Sequence, residues 1–271
     1  MSDRRNADEA AVIKGAQTID LQEEGSPGVL LLHGFGDTPQ TLSRLAKRLH
    51  KAGYGVLVPL LPGHGRTLRD FKRSRAEEWI DAARSALIEM REKSPAVNVV
   101  GLSMGGALAV LVAAEARDIS SLILIAPYVG MPRLLRFAAS THWLWGRFAG
   151  EINARSPRSI HDPIEREKNL AYGAVTGRSL FELLKVMRRA RKTLPRVTAP
   201  TLIVQSREDP RVAPEVAEFA LDKIGTKEKQ LVWTEGAGHI ITVDYGRERV
   251  FSEVEKWLRT HNSRGATAGA R

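Results

Sequence analysis

The sequence has no cysteine among its 271 residues, and aromatic residues make up only 6% of it. Without cysteine, neither a disulfide nor a thiolate metal site can form, which fits a reducing compartment. Long hydrophobic runs are also missing, since the apolar stretch SLILIAPYVG is too short to span a bilayer. The opening residues MSDRRNADEAAVIKG hold no apolar stretch of the kind found in secretory signals. We therefore expect a cytoplasmic protein with no stable membrane insertion.

Acidic residues are too few to balance the basic ones, 31 against 41, and the net charge is +10. This sign would suit a nucleic-acid or another acidic partner. However, Lys and Arg are mixed with Asp and Glu, and the densest basic run, KVMRRARK at 185–192, has helical spacing without interleaved aromatics. That pattern is typical of a solvated helix face, so no nucleic-acid partner is expected. Attraction to a membrane surface or an anionic substrate stays open, and the sequence does not indicate an oligomeric state.

Short apolar runs recur along the chain and predict strands. They are rich in Val, Ile and Leu and do not alternate with polar residues, which is typical of strands buried on both faces of a parallel sheet. The runs are GVLLL (28–32), GVLVPL (55–60), VNVVGL (97–102), SLILIA (121–126), TLIVQS (201–206) and QLVWT (230–234).

Helical patterns separate these strands, which indicates βαβ crossovers and a doubly wound, mostly parallel α/β sheet. Residues 128–195 lack any strand signal and are rich in aromatics and Arg, so they are interpreted as a helical cap inserted between two strands. The core of the α/β sheet then comprises residues 11–127 and 196–262. Residues 1–10 and 263–271 are expected to be disordered tails.

The stretch VVGLSMGGAL places a serine between two glycines, after a strand and before an apolar helix. A Gly-x-Ser-x-Gly pattern alone is weak, but this context predicts a sharp strand-to-helix turn that exposes Ser103 as a nucleophile. Gly101 and Gly105 would be small because larger side chains collide across such a turn. The alternative is a packing turn with an incidental hydroxyl.

A serine nucleophile needs a base, and the chain offers seven histidines. Catalytic groups of a doubly wound sheet gather at the carboxyl ends of strands. Only three histidines follow strand signals, and the order Ser, acid, His selects His239 among them. The other two, His33 and His64, are expected to shape loops through hydrogen bonds. His50 and His261 are expected on helix faces exposed to solvent, and His142 and His161 lie in the cap.

A carboxylate must orient the base, and Asp209 follows a strand between Ser103 and His239 in the sequence. Glu208 and Asp244 are rival candidates. An oxyanion hole needs two further donors. The residue after the nucleophile, Met104, offers one backbone N–H, and the loop LLLHGFGDTP offers the N–H of Phe35.

These motifs occur in the order and spacing of the α/β-hydrolase superfamily, and the chain resembles bacterial carboxylesterases and monoacylglycerol lipases with a small helical cap. The resemblance covers about residues 25–260 and implies the same five residues in the same roles, with a cap over the acyl pocket. This chain departs from the family at Gly36 and Asp37, where Thr-Gly is frequent, and at Pro62, where Lys is frequent. The resemblance to this superfamily rests on the motifs LLLHGFGDTP, LPGHG, VVGLSMGG, TLIVQSREDPRV and GHIITVD.

The resulting hypothesis is a serine carboxylesterase that hydrolyses short- to medium-chain acyl esters, including monoacylglycerols, without a metal or organic cofactor. The alternatives are a thioesterase, lysophospholipase or C–C hydrolase of the same fold, or a binding protein without catalysis. Large apolar side chains of the cap are expected to line the acyl pocket or to pack the cap onto the core, with both readings left open. They are Leu134, Leu135, Phe137, Trp143, Leu144, Trp145 and Phe148.

Overall fold

A seven-stranded sheet forms the centre of the protein in the computed structural model, which describes residues 11–116 and 118–268. The sheet order is β1-β3-β2-β4-β5-β8-β9, and every pairing is parallel except that of β1 with β3. The strands of the chain are β1 Ile19–Leu21, β2 Gly28–Leu32, β3 Gly55–Val58, β4 Val97–Leu102, β5 Ser121–Ile125, β6 Ile152–Asn153, β7 Ala174–Val175, β8 Thr201–Ser206 and β9 Lys229–Thr234.

Helices cover both faces of this sheet. The helices are α1 Ser43–Lys51, α2 Leu68–Arg73, α3 Ala76–Lys93, α4 Met104–Glu115, α5 Arg133–Ser140, α6 His142–Ala149, α7 Pro163–Lys168, α8 Gly177–Thr193, α9 Pro214–Lys223 and α10 Arg247–Ala268. One apolar core lies between the sheet and α3, α4, α8 and α9, and a second lies between the sheet and α1 and α10. The expected doubly wound α/β fold is therefore confirmed. None of the helices in the described part of the chain is long and apolar enough to cross a membrane.

The predicted strands are buried because helices cover both sheet faces: every residue of β2, β3, β4, β5 and β8 is buried. The sequence analysis missed β1, which has only three residues and lies at the edge of the sheet. A strand this short shows no measurable alternation.

The chain between β5 and β8 forms a mostly helical insertion containing α5, α6, α7 and α8. The expectation that it contains no strand is wrong, because β6 and β7 pair antiparallel within it. Each has two residues, too few to produce a periodic signal. At the other end of the chain, α10 continues to Ala268, past residue 263, where a tail was expected to begin. Residues 1–10 and 269–271 lie outside the described residues.

Strand register brings the loops that matter to one edge of the sheet. Leu32 of β2 is paired with Gly101 of β4, and Leu102 is paired with Ile125 of β5. On the other side, Ser206 of β8 is paired with Thr234 of β9. Because all these strands run parallel, the segments that follow β2, β4, β8 and β9 emerge together.

Candidate active site

Ser103 occupies a tight turn between β4 and α4. Its φ of +56° lies in the left-handed region, which residues other than glycine rarely adopt unless the surrounding structure holds them there. The flanking glycines explain how the turn closes. A Cβ on Gly101 would overlap the backbone of Gly105, and a Cβ on Gly105 would overlap the carbonyl oxygen of Leu32. The turn therefore excludes side chains on either side of the serine.

Three polar side chains meet above this turn. The Ser103 Oγ lies 2.8 Å from Nε2 of His239, and Nδ1 of the same ring lies 2.8 Å from Oδ2 of Asp209. Because a carboxylate only accepts, Nδ1 carries the ring proton and Nε2 keeps a lone pair for the serine hydroxyl. All three residues are at most 9% exposed. The structure thus brings together Ser103, His239 and Asp209, the three side chains that the sequence analysis selected.

The Asp209 carboxylate is held in its ionised form by its neighbours. Burial acts to raise its pKa, but the adjacent His239 and the backbone N–H groups of Val212 and Arg211 outweigh burial, so the pKa is lowered. Oδ1 accepts those two N–H groups at 3.0 and 2.7 Å. Oδ2 accepts from Nε2 of Gln205 at 3.0 Å as well as from the imidazole. An ionised carboxylate fixed in this way orients the imidazole.

The two rival acids serve other groups. Glu208 is half-exposed, and its Oε1 accepts the backbone N–H of Gly236 at 2.7 Å. Asp244 is fully buried and accepts four backbone N–H groups. These come from His161, Asp162, Gly238 and Tyr245, at 2.7–2.9 Å. Asp244 therefore ties the loop that carries His239 to the returning part of the cap.

The sequence-predicted donors flank Ser103. Met104 is the first residue of α4, where a backbone N–H has no partner within the helix. Phe35 lies in the turn after β2, and the neighbouring Gly34 approaches so closely that a Cβ there would be 3.4 Å from the Ser103 Cβ. Both backbone N–H groups thus belong to segments that lie next to Ser103.

Two buried histidines hold the turn that carries Phe35. Nε2 of His64 accepts the Gly36 N–H at 3.0 Å, and Nε2 of His33 accepts the Leu61 N–H at 3.1 Å. Burial lowers the pKa of His64 to about 4, and burial together with the nearby His64 lowers that of His33 well below 6.5. Both rings are therefore neutral near pH 7. They connect the loop after β2 to the loop after β3, as the sequence analysis expected.

Asp37 forms the far end of the same loop. Its Oδ2 accepts from the Thr41 hydroxyl at 2.7 Å, while its Oδ1 is buried without a hydrogen-bond partner. Burial raises its pKa from 3.8 to about 6, against the lowering effects of Thr41, Thr38 and His239. A carboxyl group whose ionised form is disfavoured by burial thus lies near His239.

Two features escaped the sequence analysis. Gln205, at the end of β8, supports the Asp209 carboxylate, and nothing in the run TLIVQS marks it as different from other strand residues. His261 was expected on a solvated helix face, which is wrong because it is buried. Its ring lies 4.2 Å from that of Trp257, and its Nε2 lies 3.1 Å from a carboxylate oxygen of Glu228.

The large apolar side chains of the cap divide into two groups. Leu135 and Trp145 are half-buried, and the indole of Trp145 donates to the Ala138 carbonyl at 2.9 Å. The others are 54–87% exposed, so the expectation that they pack the cap onto the core is wrong for them, while their lining of the acyl pocket stays a prediction. They are Leu134, Phe137, Trp143, Leu144 and Phe148.

The chain is similar to known proteins over most of its length. Residues 26–245 match the family described as serine aminopeptidase, S33. The thermostable monoacylglycerol lipase of Bacillus sp. (strain H-257) is 30% identical over 92% of this chain and 97% of its own length. The carboxylesterase of Bacillus subtilis (strain 168) is 24% identical over 86% and 93% of the two chains.

Solved structures show the same fold. The structure of a metagenome-derived lipolytic enzyme, described in work on LipS and LipT, superposes with a TM-score of 0.84 at 30% identity and covers 93% of this chain and all of that one. The monoacylglycerol lipase of Paleococcus ferrophilus gives a TM-score of 0.75 at 23% identity, over 90% and 98% of the two chains. Together, fold and relatives define a carboxylic ester hydrolase. The chain belongs to the serine aminopeptidase, S33 family of α/β-hydrolases.

Proposed function

We propose that this enzyme hydrolyses short- to medium-chain acyl esters, including monoacylglycerols, through an acyl-enzyme formed on Ser103. The observation that carries the proposal is the continuous hydrogen-bonded series from Ser103 through His239 to Asp209, with two distances of 2.8 Å. Such a series allows a serine hydroxyl to lose its proton as it attacks. The names of the relatives favour esters as the substrates.

The reaction follows from the positions of these atoms. Ser103 Oγ attacks the ester carbonyl carbon while Nε2 of His239 takes the hydroxyl proton, and ionised Asp209 stabilises the imidazolium. The carbonyl oxygen becomes an oxyanion that accepts the backbone N–H groups of Phe35 and Met104. Losing one such donor raises the barrier by about 3–4 kcal/mol.

Collapse of the tetrahedral intermediate breaks the bond to the alcohol oxygen, which leaves with the proton from His239. Water then gives a proton to the same nitrogen and attacks the acyl carbon. The acid product leaves, and the proton returns to Ser103 Oγ.

Partly buried apolar side chains of the cap and of the loop after β2 support an acyl substrate. Phe35, Leu135, Tyr172, Val175 and Phe181 are partly buried and pack against the core on the side of the cap. The Tyr172 N–H also donates to the carbonyl of Gly36 at 3.0 Å, which joins the cap to the loop that carries Phe35. A cap attached at this point would limit the length of the acyl chain.

The test is a rate profile over p-nitrophenyl esters of increasing acyl length, with monoacylglycerols, diacylglycerols and an aminoacyl p-nitroanilide alongside. We expect the highest kcat/KM on short to medium esters and monoacylglycerols, and little cleavage of the anilide. Ser103→Ala should lower kcat about 10⁴-fold or more, and Ser252→Ala, at an exposed serine on α10, should not. An organophosphate should label Ser103 alone by peptide mapping.

Labelling at another residue, or wild-type turnover by Ser103→Ala, would reject the roles assigned here. A preference for thioesters or for the anilide would leave the roles standing and overturn the substrate class.

A further inference from the structure

Residues 154–161 of the cap contact two loops at the carboxyl edge of the sheet. We call residues 207–213, which follow β8 and hold Asp209, the acid loop. Residues 235–246, which follow β9 and hold His239, are the base loop. The cap segment contacts residues within two positions of Asp209 and His239 in the sequence, so its position affects both side chains.

The link to the acid loop is Arg211. Its backbone N–H donates to Oδ1 of Asp209 at 2.7 Å, so a displacement of Arg211 disturbs a hydrogen bond of that carboxylate. Its side chain binds the cap instead: Nε donates to the Ser159 hydroxyl oxygen at 3.1 Å, and Nη2 donates to the Ala154 carbonyl. One residue therefore connects the carboxylate to two points of the cap.

Both of these points are fixed by hydrogen bonds within the cap. Ala154 directly follows β6, and its N–H donates at 2.9 Å to the carbonyl of Gly173, which directly precedes β7. Ser159 ends a short helical turn, and its N–H donates to the Ser156 carbonyl at 3.0 Å. The side chain of Arg211 is thus attached to ordered backbone at each end of the cap segment.

The same cap segment contacts the base loop on both sides of His239. The Ser159 carbonyl accepts the N–H of Ile240 at 3.0 Å. On the preceding side, a Cβ at Gly238 would overlap the carbonyl oxygen of Arg158, so backbone packs directly against backbone. Ser159 therefore binds both loops, the acid loop through its hydroxyl and the base loop through its carbonyl.

The hydrogen bond between Asp209 Oδ2 and His239 Nδ1, at 2.8 Å, joins two separate loops. Its length depends on how the acid loop and the base loop lie relative to each other. A displacement of about 1 Å costs about 100-fold in rate, so a common anchor for both loops has catalytic value. The pKa of Asp209 is lowered by His239 and by backbone N–H groups, including that of Arg211. These observations favour an effect of Arg211 on position.

We propose that Arg211 and Ser159 are positioning residues that hold the acid loop and the base loop at the separation required by the Asp209–His239 hydrogen bond. The inference rests on the proposed function, since it concerns the same reaction. Both residues act through Asp209 and His239 and need no contact with the substrate. The cap segment 154–161 is thereby part of the framework of the site.

Kinetics of the full chain on a p-nitrophenyl ester test the proposal. Arg211→Met removes both side-chain hydrogen bonds and keeps an unbranched side chain. We expect kcat to fall about 10- to 100-fold, with KM changed less than about twofold. Arg211→Lys keeps the charge but has one nitrogen where two now donate, so it should recover only part of the rate. Ser159→Ala removes one of the two bonds and should lower kcat about 3- to 10-fold.

Two further measurements separate positioning from a general loss of structure. The proton on Nδ1 of His239 is shared with a carboxylate oxygen and gives a low-field NMR signal. We expect this signal to shift or broaden in Arg211→Met. In a double-mutant cycle, Arg211→Met and Ser159→Ala should be non-additive, because both remove the same hydrogen bond.

Matched control variants come from the cap. Ser156→Ala removes a hydroxyl from the same segment, and the backbone carbonyl that holds Ser159 is retained. Arg178→Met removes an exposed guanidinium on α8. Both should keep the parental kcat and the parental NMR signal, and circular dichroism should show that every variant is folded.

Parental kcat in Arg211→Met, an unchanged His239 signal, or equal losses in the controls overturns the proposal. So does full recovery by Arg211→Lys, which would assign the effect to charge. If Arg211→Met does not fold, the cycle of Ser159→Ala and Arg211→Lys decides the question. Failure of the proposed function has a different signature, because Ser103→Ala would then retain turnover whatever the Arg211 variants do.

Discussion

The turn around Ser103 and the outward helices of the cap differ in the room that their glycines have. At Gly101 and Gly105 a Cβ would overlap backbone atoms, whereas at Gly146 of α6 it would meet nothing within 4 Å. In the turn, close packing of backbone atoms leaves no space for a side chain at either glycine. In α6, the glycine has open space around it, so a methyl group can be added without moving the backbone. The two regions should therefore respond in opposite ways to the same substitution.

The largest effect is expected for Gly105→Ala. The new methyl group would overlap the carbonyl oxygen of Leu32 and lie against that of His33, so β2 and α4 must separate. We expect a loss of at least about 3 kcal/mol in the free energy of unfolding, or loss of soluble protein. Urea unfolding and expression yield measure it. A variant with parental stability and full esterase activity would contradict the comparison.

A pH-dependent effect is expected from His64, which accepts a hydrogen bond from the turn that carries Phe35. His64 has a pKa of about 4 when folded against 6.5 as the reference value, so between these values the unfolded chain binds more protons. Stability therefore rises with pH across this window and is lost as pH falls from 6.5 toward 4, by about 3 kcal/mol in all. His64→Gln should flatten the curve of unfolding free energy against pH, while His33 keeps part of the slope.

The non-electrostatic cost of His64→Gln is read at about pH 8, above the window in which His64 titrates. An unchanged slope between pH 6.5 and 4 in the variant would remove His64 as the source of the pH dependence.

Asp37 is expected to make a smaller contribution to the pH dependence of stability than His64, and one of opposite sign. Its pKa is raised from 3.8 to about 6, so its contribution to stability is present below 3.8 and lost as pH rises through 6. Asp37→Asn keeps an acceptor for Thr41 and avoids burying a charge. The variant should be about 1–3 kcal/mol more stable than the parent above pH 6 and no different below pH 3.8.

The matched change Asp244→Asn should lower the free energy of unfolding in urea. One amide oxygen cannot replace two carboxylate oxygens that accept four N–H groups. Equal destabilisation of both variants above pH 6 would refute the cost assigned to Asp37.

The smallest effect is expected for Gly146→Ala on α6. Its Cβ would meet nothing within 4 Å, and alanine favours a helix over glycine by about 0.8–1 kcal/mol. We expect a stabilisation of at most this size in urea unfolding. A loss comparable to that of Gly105→Ala would show that the cap helices are as constrained as the turn.

The same contrast explains what the sequence could reveal. Buried strands and helices produce strong periodic signals: the run AEEWIDAARSALIEMREK coincides with α3, which buries Trp79, Ile80 and Met90. The candidate site was also accessible, because Ser103, Asp209 and His239 each follow a strand signal in a fixed order. Their roles remain a proposal, but the proximity of their side chains follows from strand register.

Contacts that depend on orientation were not accessible. Helical spacing groups Leu134 with Phe137, yet spacing does not say whether that stripe faces the core or the solvent. Asp244 is another example, because a carboxylate beside the histidine loop could equally orient the ring or accept backbone N–H groups. Only the fold, which brings residues 161 and 162 of the cap to Asp244, distinguishes these uses.

The buried carboxylate of Asp244 has a consequence for building chimeras. Half of its four N–H donors belong to the cap and half to the loop that carries His239. A cap transplanted from a relative must therefore supply two backbone donors at positions 161 and 162, or the carboxylate loses half of its partners in the interior. Grafts that keep the segment 157–162 of the recipient and exchange only the preceding helices avoid this problem, which gives a concrete boundary for exchanging substrate preference between members of the family.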